Sequence, residues 1–133
     1  MATVEAGVWG RVTGGSAVTA LIVTRMFDIA APEGTALPLI VFSRTDTIRE
    51  QAFGTEPGNA TARLELDMVA NTPEGARALA KAVRDRLHRW QNVAGDPDVD
   101  DVFLDNEEFD GNVKDRRFTV THDYLVMYRE ASD

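Results

Sequence analysis

The chain has 133 residues, of which 44% are hydrophobic and 27% charged, and its formal net charge is −8. This length suits a single domain over residues 1–133, and this composition excludes a disordered or fibrous class. The negative charge argues against broad affinity for nucleic acid, because such binding needs Lys and Arg to neutralise phosphates. With no cysteine, disulfides, thiolate nucleophiles and cysteine-based metal sites are excluded as well.

The N-terminal residues do not have the pattern of a signal peptide. Glu5 stands where a signal peptide has basic residues, and no apolar stretch follows it. The longest apolar runs, residues 20–23 and 39–42, are far shorter than a membrane span. We therefore expect a soluble chain with no membrane segment.

Two helices are predicted at the start of the chain. Val4, Val8 and Val12 recur at helical spacing and predict a helix over residues 3–13, with Trp9 in the core and two glycines after it. Ser16 is expected to cap a short second helix that ends at Ile22.

Strands follow these helices. Residues 23–28 have the β-branched and aromatic content of a strand, and residues 31–34 predict a turn. The continuous apolar run at residues 39–42 is typical of a central strand covered on both faces. From Thr61 apolar and charged residues alternate strictly, which predicts a half-buried strand.

The clearest helix begins after Thr72. Thr72 is a predicted N-cap, Pro73 suits the first helical position, and one apolar stripe continues to Trp90. Residues 102–109 then predict a strand, and Asp110-Gly111 is a hairpin signal before a final strand, Arg117–Arg129. This order predicts an α+β fold, with a mostly antiparallel sheet of about four to five strands and helices packed on one face.

One predicted connection is unusually long. Residues 44–60 join two strands, whereas structureless connections longer than about 12 to 15 residues are uncommon in compact domains. The segment carries Ile48, Arg49 and Phe53, which we interpret as a candidate partner-docking loop. The alternative is that its apolar residues fold back on their own domain.

The sequence offers little catalytic chemistry. His88 and His122 are the only histidines, and no nucleophile elbow, phosphate-binding loop or dinucleotide fingerprint is present. Asp96, Asp98, Asp100 and Glu107 match the spacing of a calcium-binding loop, but Asp101 stands where that loop needs glycine. We therefore predict no catalytic residue, no metal site, no cofactor and no enzymatic activity.

Charge is distributed unevenly along the chain. Residues 96–110 contain eight acids and no basic residue, whereas the long helix carries a basic stripe that includes Arg77, Lys81 and Arg84. One interpretation is an ordinary solvated surface. The other is a subunit interface in which the basic stripe of one copy meets an acidic segment of the next and closes a ring. The acidic residues predicted for this interface are Asp100, Asp101, Glu107 and Glu108.

Residues 25–42 carry a family resemblance. An arginine-led apolar strand, an Ala-Pro-x-Gly turn at residues 31–34 and a strand introduced by Pro38 resemble the tail terminator, or tail completion, family of long-tailed phages and related gene-transfer particles. The alternating strand of residues 62–70, the long helix and the hairpin signal continue the likeness along nearly the whole chain. Leu39 departs from the pattern, because an aromatic residue often follows this proline in the family.

The resemblance implies a structural role in the virion. Such a protein forms a homo-hexameric ring that caps the tail tube, ends its polymerisation and joins the tail to the head-side connector or stopper protein. It implies assembly in the host cytoplasm, a final place at the head-tail junction, and DNA that passes through the ring without specific binding. Two alternatives stay open: another neck protein, such as a head completion or stopper protein, and an enzyme with a carboxylate metal site.

Overall fold

A computed structural model describes residues 3–49 and 59–130 of the chain. Its elements are α1 (Val4–Thr13), α2 (Ser16–Ile22), β1 (Met26–Asp28), β2 (Leu39–Arg49), β3 (Asn59–Ala70), α3 (Pro73–Leu87), β4 (Asp98–Asn112) and β5 (Arg117–Arg129). The strands form one sheet in the order β1-β2-β3-β5-β4. Among the described strands, β1 and β2 pair in parallel, and all other neighbours pair antiparallel. The predicted α+β class is confirmed.

The helices cover one face of the sheet, which we call the helix face. Along β3, Leu64, Leu66 and Met68 are fully buried against the helices, and the charged residues between them lie on the opposite, open face. The same alternation along β5 buries Val120 to Tyr128 at every second position. Because side chains of a strand point alternately to its two faces, the half-buried strand predicted from Thr61 is confirmed as β3.

Helix α3 begins where the sequence predicts. The hydroxyl oxygen of Thr72 accepts a hydrogen bond from the Gly75 N–H at 3.0 Å, and Pro73 is the first helical residue. The helix ends at Leu87 because His88 turns to an extended conformation as its C-cap. The prediction that the apolar stripe continues as helix to Trp90 is therefore wrong, although Trp90 still packs on the core.

The first two helices differ from prediction at Trp9 and Ser16. Val4, Val8 and Val12 are buried as expected, but Trp9 is 44% exposed, because the residue after Val8 lies about 100° around the helix from the buried stripe. Ser16 is the first residue of α2 and Gly15 its N-cap. The chain then leaves α2 through Val23 at φ 58°, so the strand predicted over residues 23–28 begins only at Met26.

Strands β2 and β3 extend into the predicted connection. Residues 44–49 continue β2 and pair with β3 past a register shift between Arg44 and Asp46, and β3 begins at Asn59. The segment predicted as a loop over residues 44–60 is therefore shorter. Residues 46–49 pair with β3 through their backbones although they lack the apolar pattern of a buried strand. The remaining connection, residues 50–58, lies outside the described residues.

The β4–β5 hairpin turns later than its sequence signal. Asp110 and Gly111 lie within the ladder, opposite Thr119 and Phe118. The turn occupies residues 113–116, where the side-chain oxygen of Asn112 accepts a hydrogen bond from the Asp115 N–H at 3.1 Å. The hairpin predicted at Asp110-Gly111 is thus displaced along the chain, because the hydrogen bond from the Asp115 N–H to the Asn112 side chain closes the turn there instead.

Candidate functional site

The buried stripe of α3 fixes where its basic residues lie. Ala76, Leu79, Ala80, Val83 and Leu87 are buried against the sheet. Arg77, Lys81 and Arg84 follow at steps of four and three, so they form an exposed row beside that stripe. Packing of α3 over β5 and β4 therefore holds three cations above the half of the β4–β5 hairpin that lies nearer its turn.

A groove of about 430 Å³ separates this basic row from the hairpin, and we call it the basic groove. Eight residues line it: Arg77, Ala80, Lys81, Arg84, Glu107, Phe109, Val120 and His122. Its apolar part includes Phe109, which is 49% exposed. The guanidinium of Arg77 lies 5.0 Å from the centre of the Phe109 ring, within cation–π range. The groove thus combines an apolar surface with a cationic rim.

A buried histidine closes the inner wall of the groove. His122 is fully buried, with Nε2 2.6 Å from Glu107 Oε2 and Nδ1 2.9 Å from the Tyr124 hydroxyl oxygen. Burial lowers the pKa of His122, and the hydrogen bond to Glu107 opposes part of that effect. A carboxylate can only accept, so we assign the proton to Nε2, and Nδ1 then accepts from Tyr124. Burial also raises the pKa of the Tyr124 hydroxyl.

The structure separates the acidic residues predicted for the subunit interface. Glu107 lies in the basic groove beside Arg77, Lys81 and Arg84. Glu108 is the next residue along β4 and lies on the open face, where its charge helps to raise the pKa of Glu65. Asp100 lies at the register shift after Val99, and Asp101 forms an ion pair of 2.9 Å with Arg89. One of the four predicted acids therefore shares a site with the predicted cations.

The open face carries an acidic cluster that the sequence analysis did not single out. Glu65 of β3 lies directly opposite Asp123 of β5 in the strand register. Asp67 accepts a hydrogen bond of 2.7 Å from the Thr121 hydroxyl. Burial, followed by the charges of Asp67, Asp123 and Glu108, raises the pKa of Glu65. The alternation of charged residues along β3 was the available signal. The order β3-β5-β4 in the sheet then brings Asp123 of β5 and Glu108 of β4 to the same acidic cluster.

The candidate docking loop is described in part. Ile48 is 65% exposed near the end of β2, and Arg49 donates a hydrogen bond to the carboxylate of Glu130. Phe53 lies outside the described residues. Ile48 and Arg49 therefore belong to the end of β2, and residues 50–58 connect that end to β3.

The carboxylates and histidines of the described residues do not gather into a metal-binding group. Among residues 3–49 and 59–130, no three His, Asp or Glu side chains are grouped so that they could hold a metal ion. Asp98, Asp100 and Glu107, which match a calcium-loop spacing, lie along the extended strand β4. The other histidine, His88, accepts a hydrogen bond from the Leu104 N–H at 3.1 Å.

The described helices include none with the length and apolar character needed to cross a membrane.

Comparison with known proteins gives a family and a fold. The profile of the family described as tail completion protein gp17 matches residues 6–129. The chain also superposes on a chain of the solved structure described as the virion of a native gene transfer agent particle. That match has a TM-score of 0.75 and 16% sequence identity, and it covers 96% of this chain and 95% of the other, so it shows a shared fold. No curated protein matches the sequence.

Proposed function

The chain belongs to the tail completion protein gp17 family and is a structural protein of a phage tail, and from this premise we propose that it forms a ring that completes the tail. Several copies, six in the proposed hexamer, close around the end of the tail tube. The ring ends tube polymerisation and offers its other surface to the head-side connector or stopper protein. The family match over residues 6–129 carries this proposal.

Charge at the basic groove supports a contact between copies. In a closed ring each subunit presents two different surfaces to its two neighbours. The cations Arg77, Lys81 and Arg84 supply one such surface, and carboxylates of the next copy supply its counterpart. Asp101 and Glu107 already bond to Arg89 and His122 of their own chain. Asp100 and Glu108, which form no ion pair with a described residue, are therefore the better placed acids of β4.

The acidic cluster of the open face supports a role for this face as the wall of the DNA channel. Glu65, Asp67, Glu108 and Asp123 place like charges on one face, and their repulsion adds to the effect of burial in raising the pKa of Glu65. A negative wall repels the phosphates of a passing duplex, so DNA moves through without adhering. Reversing Glu65 and Asp123 to Lys is expected to create salt-sensitive DNA retention in a gel-shift assay. Unchanged mobility at low salt would count against this orientation.

The capping role is tested with polymerising tail tube protein. The purified protein is mixed with tube subunits during assembly, and electron microscopy measures tube length and the fraction of tube ends that carry extra density. We expect shorter tubes with occupied ends at increasing protein concentration. If tube length stays constant and the protein binds portal-side components instead, the chain is a different neck protein.

The proposed contact between copies is tested by charge reversal. We expect the double variant Arg77→Glu and Arg84→Glu to lose its oligomers in sedimentation at low salt, where exposed charges interact most strongly. Arg117→Glu is the matched control, because Arg117 is exposed and lies outside the groove. Oligomers that persist in the double variant would refute this contact.

A further inference from the structure

We infer that the basic groove of one copy binds the β2–β3 connection, residues 50–58, of a second copy. This inference rests on the proposed ring and specifies which segment of the neighbour fills the groove. It is carried by three observations on the described residues: the chemistry of the groove, the exposed strand end that leads into the connection, and the distance between the two within one chain.

The groove selects for a ligand with two kinds of group. Its rim carries three cations, and Phe109 and Val120 contribute an apolar surface beside them. A carboxylate alone would satisfy the rim and leave Phe109 exposed to water. A segment that combines carboxylates with a large apolar side chain would satisfy both parts, because removal of apolar surface from water is favourable.

Residues 50–58 have this combination. Their sequence, Glu-Gln-Ala-Phe-Gly-Thr-Glu-Pro-Gly, places Phe53 between Glu50 and Glu56 and contains no basic residue. Aromatic side chains enclosed by complementary charge are typical anchors of protein interfaces. Glu108, an alternative acid on β4, lies on the open face, whereas its neighbour Phe109 lines the basic groove of its own chain, so the two do not form one ligand for a second copy.

The connection cannot reach the groove of its own chain. Arg49 lies opposite Ala60, whereas the groove residues His122 and Val120 pair with Leu66 and Met68, six and eight residues further along β3. This displacement is about 20 to 26 Å along the strands, with about 10 Å more across the two spacings from β2 to β5. Phe53 is four residues from Arg49 and extends at most about 14 Å from it. The groove that Phe53 enters must therefore belong to another copy.

The start of the connection is well placed for such a contact. Ile48 is 65% exposed near the end of β2, and the last ion pair of that strand, between Arg49 and Glu130, holds the chain to the end of the sheet. The groove lies toward the opposite end of β5. Each copy thus presents the ligand at one end of its sheet and the receptor toward the other, as a ring of identical head-to-tail contacts requires.

The absence of cysteine from the chain permits a direct test by disulfide formation. Ala52→Cys leaves Phe53 intact, and Lys81→Cys places a thiol on the groove rim while Arg77 and Arg84 remain. The two variants are given different mass tags, mixed and oxidised mildly. The matched control is Lys114→Cys, at an exposed residue in the turn between β4 and β5, outside the groove.

We expect about tenfold more mixed dimer with Lys81→Cys than with Lys114→Cys, because bound segments raise the effective concentration of the two thiols. Adding Phe53→Ala to the Ala52→Cys partner should remove most of this excess. Equal yields from the groove and control variants would overturn the inference. So would a crosslink within one chain of the double variant Ala52→Cys and Lys81→Cys in dilute solution.

The capping assay separates this inference from the proposed function. If wild-type protein caps tubes while the mixed dimer forms no faster than the control, the segment–groove contact is wrong and the ring function stands. If the mixed dimer forms selectively but tubes continue to grow uncapped, the contact stands and the capping function fails.

Discussion

Two glycines of α1 give opposite predictions for the same substitution. A Cβ added to Gly7 would lie 2.5 Å from Cγ and 2.7 Å from Cδ of the buried Pro97 ring, whereas a Cβ added to Gly10 would meet nothing within 4 Å. Pro97 directly precedes β4, so Gly7 sets how closely α1 approaches the start of that strand. A rigid proline ring cannot move aside as a flexible side chain could.

The expected magnitudes follow from these distances. Alanine in place of glycine inside a helix is worth roughly 0.5 to 1 kcal/mol, so Gly10→Ala should stabilise the protein by that amount. Gly7→Ala gains the same helical preference but adds an overpacking cost of about 1 to 3 kcal/mol. We therefore expect Gly7→Ala to lower the free energy of unfolding, by up to roughly 2 kcal/mol, while Gly10→Ala raises it.

Urea unfolding of the two variants beside wild type provides the measurement. The midpoints should move in opposite directions at an unchanged m-value, because neither substitution alters how much surface unfolding exposes. The difference between the two variants isolates the contact with Pro97, since the helical term is common to both. Equal midpoints for Gly7→Ala and Gly10→Ala would show that α1 does not approach Pro97 this closely.

Three further outcomes test the fold and its titrating group. Thr72→Ala removes the N-cap of α3 and should cost about 1 kcal/mol in urea unfolding, so an unchanged midpoint would speak against the cap. Leu79→Ala should lower the free energy of unfolding by about 2 to 5 kcal/mol, because Leu79 is fully buried. A loss below about 1 kcal/mol would show that α3 does not bury Leu79 against the sheet. The folded pKa of His122 lies below its unfolded value of 6.5, so the unfolded chain binds more protons and stability falls as pH drops below about 6.5. Between pH 7 and pH 5 wild type should therefore lose more stability than His122→Gln in thermal unfolding, and parallel losses would contradict the buried neutral imidazole.

The elements that could be read directly from the sequence are those whose signals are local. Thr72 and Pro73 mark the start of α3, and its apolar spacing identifies the buried stripe, because capping and amphipathic periodicity act within one helix. Strict alternation likewise identifies β3 and the bounds of β5, since each strand has one buried face. These patterns were sufficient for the α+β class.

The basic groove could be predicted only in part. The spacing of Arg77, Lys81 and Arg84 identifies the basic row, because residues three and four apart share a helix face. Its opposite wall depends on which residues of β4 and β5 lie under α3. Glu107 belongs there and Glu108 does not, a distinction that follows from strand register and is set by pairing with β5.

Tertiary structure alone decided the lengths of β2 and β4. The ends of β2 and β4 carry polar residues that pair through their backbones, and no side-chain pattern marks such a pairing in advance. The sequence by itself thus determined the elements with an apolar face, and the hairpin signal at Asp110-Gly111 named the right connection at the wrong residues. Hydrogen bonds between distant segments determined where β2 and β4 end, because the backbone groups of every residue are alike until a neighbouring strand pairs with them.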